Sequence, residues 1–483
     1  MNQPLKVLFL AAEAAPFAQV GGLAEVATSL TQALRRLDVD VRLMMPRYGS
    51  IRSRDYDFQR VGNSIAVPVG PEEEHVHLLE THLGELPVYL IWDDQYFSAR
   101  EKIYGFNDDP QRFTFFSRAV IASLAALDWQ PDVIHANDWH TAPVVVWLDV
   151  YGRALPAYRD IATLFTLHNL AYQGVCGRLI LTFARMDKVK HLPVEPPGQV
   201  NWMAQGIAHA DLLNTTSPTY ARNILTPERG RGLESLLTER QERLFGILNG
   251  INIDFWNPET DEALTQTYNR DSLRMREVNK AALQREMGLA ARPKTPLLGF
   301  VGRVEALKGL EILIESLEAL LAEAEFQFVL LGTGDPLLEQ ALRELQARYP
   351  AAIRVYLKFD PRLARRIYGG ADIFVMPSES EPCGLGQMLA MRYGAVPVVR
   401  ATGGLVDTVV DVTTAPQRGT GFAFEDYTAA ALTVALRRAL LVYGDEAVWR
   451  AIQKRAMEVD FSWDASARAY LDLYRRAQAL HDR

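Results

Sequence analysis

Two doubly wound, Rossmann-like α/β domains joined at a turn-rich linker are what this sequence predicts, and three observations carry the expectation. Short apolar runs of strand length alternate with stretches of helical spacing along most of the chain. The succession strand, glycine turn, helix, strand opens the chain from Lys6 to Met45 and begins afresh from Leu297 to Leu331. Between the two, Asn249-Gly250 through Asn257-Pro258 is dense in turn formers. The expected division is residues 1–250, residues 251–460 and a closing helical segment, 461–483.

The elements follow in order. Lys6 to Ala11 is a buried strand, Glu13 to Val20 a loop, and Gly21-Gly22-Leu23 opens a helix whose apolar spacing runs from Ala24 to Leu34. Val39 to Met45 is the next strand. This turn lacks a full G-x-G-x-x-G, so it is a poor dinucleotide site. Residues 50–100 read as short strands and turns without a legible order. Arg112 to Leu127 is an amphipathic helix, followed by strand Asp132 to Ala136 and the turn Asn137-Asp138-Trp139-His140. Strand Thr163 to Leu167 ends in His168-Asn169. Trp202 to Ala210 is a helix and Asp211 to Thr215 a strand; Ser217 then caps a helix with Pro218 at its first position.

The second half opens with strand Leu297 to Val301, the loop Gly302 to Gly309, a helix to Ala324, and strand Phe326 to Leu331 before the loop Gly332-Thr333-Gly334-Asp335. A helix spans Arg362 to Tyr368. Strands Ile373 to Met376 and Val396 to Val399 flank a helix from Leu385 to Tyr393, which Gly394 stops. Helices Thr428 to Val442, Glu446 to Glu458 and Asp464 to Leu480 close the chain.

Composition narrows the classes. At 483 residues, 48% of them hydrophobic and 23% charged, the chain can bury two or three cores. A net charge of −8 argues against a general nucleic-acid or anionic-membrane binder, while leaving room for a local basic site. Two cysteines, Cys176 and Cys383, cannot build a disulfide framework or a cysteine-rich metal site. A single lysine followed by a short strand is no signal peptide, and no apolar run reaches the ~18 residues that span a bilayer. The expected place is the cytoplasm, with no membrane partner.

In an open parallel sheet, ligands bind beyond the carboxyl ends of the strands. Asp138, His140, His168 and Asn169 fall there in the first half. In the second, Arg303 and Lys308 share one strand-to-helix loop, Glu381, Cys383, Gly384 and Leu385 form another, and Gly403-Gly404 a third. A helix opening at Gly384-Leu385 would turn free N–H groups and a positive dipole end toward an anion. Each feature has a plainer structural reading: a core-bonded histidine, a solvated pair of cations, turns that merely punctuate. No His/Cys/Asp cluster has metal spacing, and neither metal nor cofactor is expected.

The run Pro377-Ser378-x-x-Glu381-Pro382-Cys383-Gly384-Leu385-x-Gln387, with Arg392-Tyr393-Gly394 and Thr402-Gly403-Gly404-Leu405-x-Asp407-Thr408, closely resembles the donor-site signature of bacterial glycogen synthases and plant starch synthases. Glu13-x-x-Pro16-Phe17 with Gly21-Gly22-Leu23-Ala24, the strings DWHTA and TLHNLAYQG, and Gly302-Arg303 with Lys308-Gly309 are similar to the same family. The resemblance implies a retaining glucosyltransferase of the GT-B fold, its two domains facing across a deep cleft and its last helix, within 461–483, crossing back to the first domain. It would transfer glucose from ADP-glucose to the non-reducing end of an α-1,4-glucan. It also implies roles. Glu381 would hold the glucose hydroxyls beside the Cys383–Leu385 backbone, and Arg303 and Lys308 would clamp the diphosphate. Gly332, Gly334, Gly403 and Gly404 would line the donor, and Tyr368 would stack on the base. From the first domain, Gln19, Gly21 and Gly22 would reach the donor, His168 and Asn169 the transferred sugar, and Asp138 a sugar hydroxyl.

No residue clearly qualifies as a nucleophile on the opposite face of the sugar, and the resemblance to the synthases implies a retaining, same-face displacement. Three departures stand out, and a fourth position agrees with the family. Gln19 and Ala204-Gln205-Gly206 lie where the family usually has lysine, and Glu25 where it has aspartate. Leu389 stands where related GT-B transferases carry a second glutamate, an acid that the glycogen-synthase group also lacks. A transferase for another nucleotide sugar or acceptor, and a catalytically weak glucan-binding paralogue, are the rival readings.

Overall fold

The computed structural model describes residues 4–190, 192 and 198–481. The chain divides into two compact units, Met1–Gly250 with Trp463–Arg483, and Ile251–Ser462. The last helix, Trp463–His481, therefore belongs to the first unit.

The first unit is built on β1 (Lys6–Leu10), β2 (Asp40–Pro46), β3 (Gln59–Val69), β4 (Glu72–Leu83), β5 (Leu86–Trp92), β6 (Val133–Asn137) and β7 (Ala162–Leu167). A two-stranded ribbon, β8 (Val175–Gly177) with β9 (Gln199–Asn201), precedes β10 (Leu212–Thr215) and β11 (Leu244–Gly246). Nine of these strands form one sheet in the order β11-β10-β7-β6-β1-β2-β5-β4-β3. Its centre is parallel and buried on both faces, which is why β1, β6 and β7 read as unbroken apolar runs. Residues 50–100 were expected to give short strands. They form instead an antiparallel edge, β5-β4-β3, with strands of eleven and twelve residues. β3 is mostly exposed or half-buried, so it lacks the apolar run that marks a strand.

The helix Trp463–His481 packs Trp463, Ala467, Tyr470, Leu473, Tyr474 and Ala477 into the first core. Two tyrosine hydroxyls meet polar groups of the sheet: Asn214 Nδ2 donates to Tyr470 at 2.8 Å, and Tyr474 lies 2.8 Å from His135 Nδ1. At its end His481 Nδ1 lies 3.1 Å from Asp211 Oδ2, and its Nε2 donates to the Arg159 carbonyl at 2.6 Å.

The second unit holds β12 (Leu297–Val301), β13 (Gln327–Leu331), β14 (Ile353–Tyr356), β15 (Ile373–Met376), β16 (Val396–Arg400) and β17 (Phe422–Phe424). They form one all-parallel sheet in the order β14-β13-β12-β15-β16-β17. Strand order reverses between β12 and β15, and in the first unit between β1 and β6 on either side of the first strand. Those reversals open crevices at carboxyl strand ends. Asp360 and Thr428 cap helices Pro361–Gly370 and Ala429–Tyr443 by accepting from Leu363 and Ala431 N–H. The helix after β15 runs Gly386–Arg392, one residue later than expected, because Gly384 and Leu385 are drawn into the preceding turn. Among the described residues, no helix is long and apolar enough to cross a membrane.

Candidate active site

In the first unit the loop after β1 is organised by Glu13, which is only 3% exposed. Its Oε2 accepts from Val20 N–H at 2.5 Å and Gly21 N–H at 3.0 Å. Burial holds this carboxyl above the ordinary range, and the two N–H groups and Tyr104 pull it back. The glycine pair therefore presents a loop whose N–H groups are partly satisfied from within. Gly21, Gly22 and Gln19 are exposed, and Val20 is 68% exposed.

The turn after β6 lies beside it in the sheet. Asp138 adopts a left-handed backbone, φ 55°, which aspartate tolerates better than most side chains. Its Oδ1 accepts from His168 N–H at 2.8 Å, joining the ends of β6 and β7. Burial pushes the Asp138 carboxyl up to about 7, and nearby Glu13 adds to the rise. His168 is half-buried, and desolvation lowers it to about 4, so its ring is neutral at physiological pH. Its Nε2 lies 2.8 Å from Asn137 Oδ1. Asn169 is exposed, and its Oδ1 accepts from the Ala171 N–H of its own turn at 2.9 Å. His140, in the same turn as Asp138, packs among Tyr104, Phe113 and Trp139 and is pushed down to about 3, a core histidine.

In the second unit, Glu381 and Lys308 meet directly: Nζ to Oε2 is 2.6 Å, with side-chain exposures of 21% for the lysine and 9% for the glutamate. Ser378 Oγ donates to the same carboxylate oxygen at 3.2 Å. Arg303, on the loop that carries Lys308, is 73% exposed and reaches Glu305 at 3.0 Å. An ammonium has three donors, so Lys308 can keep Glu381 and still offer protons to an anion. The turn itself is locked by Gln387, which donates to the Gly384 carbonyl at 2.9 Å and to Thr408 at 3.0 Å. Cys383 is buried and Leu385 half-buried beside it. Leu389 is buried, so the position of the missing second acid faces the core.

One expectation is corrected. Tyr368 cannot stack on a base: it is 4% exposed and packed among Trp256, Phe374 and Tyr393. Helical spacing places it on the apolar face of Pro361–Gly370. The exposed aromatic just past β14 is Phe359, 86% exposed, which sequence pattern alone passed over. Gly403 and Gly404 are shaped by their own chain. Gly403 has φ 49°, a Cβ there would lie 1.9 Å from the Glu381 carbonyl, and Gly404 N–H donates to that carbonyl at 3.1 Å. They brace the Glu381 turn, and the N–H of Gly404 is not free for a phosphate. Gly332 and Gly334 likewise press on the Gly302 and Val304 carbonyls, at 1.9 and 2.2 Å from a Cβ placed there. Ala204 and Gln205 are buried in helix Trp202–His209, where Gln205 donates to the Lys190 carbonyl.

Two Rossmann-like units with charged and glycine-rich loops at the carboxyl ends of their strands define a glycosyltransferase of the GT-B fold, and comparison agrees. The structure superposes on a sucrose-phosphate synthase from Thermosynechococcus elongatus, TM-score 0.60 at 19% identity over 98% of this chain and 99% of that one. It lies nearer the catalytic domain of starch synthase IV from Arabidopsis thaliana, solved with ADP and acarbose, at TM-score 0.89 and 34% identity over 99% and 100%. Residues 6–239 match the starch synthase catalytic domain family, and 295–441 the glycosyl transferases group 1 family. A glycogen synthase 2 from Geobacter sulfurreducens is 44% identical over 98% of this chain and 99% of its own length. One from Moorella thermoacetica is 45% identical over 99% and 98%. The chain belongs to the glycogen and starch synthase family of hexosyltransferases.

Proposed function

We propose that this protein extends an α-1,4-glucan by transferring glucose from ADP-glucose with retention of configuration, in the cytoplasm. The Lys308–Glu381 pair carries the reading. A buried carboxylate and a cation that shares it sit in one crevice of the second unit, and the loop that carries the cation also carries an exposed arginine, Arg303. Loss of a nucleoside diphosphate develops negative charge at the leaving oxygen. Lys308 and Arg303 supply fixed positive charge for it, an effect worth on the order of 3–4 kcal/mol per donor in a transition state. Glu381 accepts from sugar hydroxyls with the oxygen that Lys308 leaves free, and Phe359 offers a face for the base. In the first unit, neutral His168 and Asp138 meet the sugar. The relatives' names and the ADP and acarbose of the Arabidopsis structure support donor and acceptor classes.

Incubation with radiolabelled ADP-glucose or UDP-glucose plus glycogen tests it. Incorporation from ADP-glucose in preference to UDP-glucose is expected; binding of glycogen without turnover from either donor overturns it. Gln19, exposed where the family usually carries lysine, favours a weaker donor site. A charged hydrogen bond is worth ~1.5–3 kcal/mol against ~0.5–1.5 for a neutral one. Gln19→Lys should therefore lower the ADP-glucose KM by about three- to thirtyfold. An unchanged or raised KM points to a site rebuilt for another donor.

A further inference from the structure

We propose that Asn137 is a positioning residue for His168: by accepting a hydrogen bond from Nε2–H, it leaves Nδ1 as the one ring atom able to accept from a substrate hydroxyl. The proposal rests on the reading of His168 as a group that meets the transferred sugar.

The argument is a proton count. Asn137 ends β6 and is wholly buried. Its Nδ2 donates to the Leu10 carbonyl at 2.9 Å and approaches the His135 carbonyl at 3.4 Å. Carbonyl oxygens carry no proton, so the amide nitrogen must face them; the reversed amide would set oxygen against two oxygens. Oδ1 is then turned to His168, 2.8 Å from Nε2, and an amide oxygen only accepts. His168 Nε2 is therefore the donor. A neutral imidazole has one N–H, and burial keeps this ring neutral, so Nδ1 carries a lone pair. Among the described residues, no hydrogen bond is made to that Nδ1.

Consecutive residues thus hold His168 at two points. Asn137 fixes the ring and its tautomer from inside the sheet, and Asp138 Oδ1 fixes the backbone by accepting the His168 N–H at 2.8 Å. The anchor of Asn137 is itself rigid, because Leu10 belongs to β1 and His135 to β6, neighbours at the centre of the sheet. The consequence for the reaction is directional. His168 acts as an acceptor that orients a hydroxyl; it does not donate a proton to one at neutral pH.

The test is ¹⁵N NMR on the full-length protein labelled at histidine, with the His168 signals identified by their loss in His168→Gln. The wild type should show a protonated, pyrrole-type Nε2 and a bare, pyridine-type Nδ1. In Asn137→Ala the two tautomers should mix, and kcat should fall by about tenfold with little change in donor KM. Asn137→Asp keeps an acceptor but adds a charge that favours imidazolium. The acid limb of its kcat/KM profile should therefore move up in pH from its wild-type position, a shift that simple loosening of the sheet would not produce. A wild-type His168 protonated at Nδ1, or an Asn137→Ala protein with unchanged tautomer and kcat, overturns the proposal. The wild-type spectrum decides the tautomer even if a variant folds poorly. It is also independent of turnover: a protein with the expected tautomer but no glucosyl transfer would sink the proposed function alone.

Discussion

At the scale of single residues, the Lys308–Glu381 contact couples function to stability. Glu381 has a side chain only 9% exposed, so removing its cation strands a carboxylate in a poor solvent. Lys308→Ala should lower kcat by roughly a hundredfold or more. It should also be less stable than the double variant Lys308→Ala/Glu381→Gln, in which no charge is stranded. Denaturation midpoints for the four proteins of this cycle, with their kcat values, check both statements. Asp138 gives a pH signature. Its folded pKa is raised to about 7 from 3.8, so between those values the folded protein holds a proton that the unfolded chain has released. Stability from this group is therefore present on the acid side of the window and is lost as pH rises through about 7. His168 and His140, depressed to about 4 and 3, slope the other way below their ordinary 6.5. The readout is thus the difference between wild type and Asp138→Asn: the wild type should lose more urea resistance than the variant between about pH 5 and about pH 8. Sequence pattern put Asp138, His168, Lys308 and Glu381 past the ends of strands, where the structure has them, because strand ends are legible. It misplaced Tyr368 because an aromatic near a crevice and an aromatic in a core look alike in one dimension. Asn137 stayed hidden, since nothing in the sequence says which way a buried amide turns.

At the scale of elements, the parallel strands β1, β2, β6, β7, β10, β12, β13, β15 and β16 were readable to within a few residues, because double-sided burial writes an apolar run; the three-residue parallel edges β11 and β17 and the helices Ala142–Val150 and Arg276–Glu286 were not. The antiparallel edge β5-β4-β3 was not, because one-sided burial and a run of charges in β4 mimic loop. The glycine pair at 403–404 teaches a related point: it serves a close backbone crossing over Glu381, which only contact in space reveals. The closing helix Trp463–His481 carries its own prediction. Tyr474→Phe removes the partner of His135 Nδ1 in a fully buried site. Leaving a buried polar atom unpaired costs about 1–3 kcal/mol, so thermal or urea unfolding should report a loss of that size with kcat nearly unchanged. A drop in kcat without loss of stability would mean that the network reaches the catalytic groups.

At the scale of the whole molecule, the second unit is one continuous segment, Ile251–Ser462, whereas the first is completed only by Trp463–Arg483. The second unit has its own core and a complete six-stranded sheet. Expressed alone, residues 251–462 should fold cooperatively and bind ADP, measurable by calorimetry, with no glucosyl transfer. A chain ending at Ser462 should instead fail in its first unit, where His135 and Asn214 lose their tyrosine partners. A fragment 251–462 that binds no ADP would move the nucleotide site out of the second unit.

The discontinuity of the first unit also sets a clock. Ribosomes deliver the chain from its amino end, and the first unit's sheet emerges well before the helix that finishes its core. Roughly 200 residues of the second unit must be made in the interval. At about 5–20 residues per second this takes about 10–40 s. Throughout that time the seat of Trp463, Tyr470 and Tyr474 is an uncovered apolar groove on a nascent protein. The inserted unit can fold while its host waits, and the waiting groove is where a chaperone would find the chain.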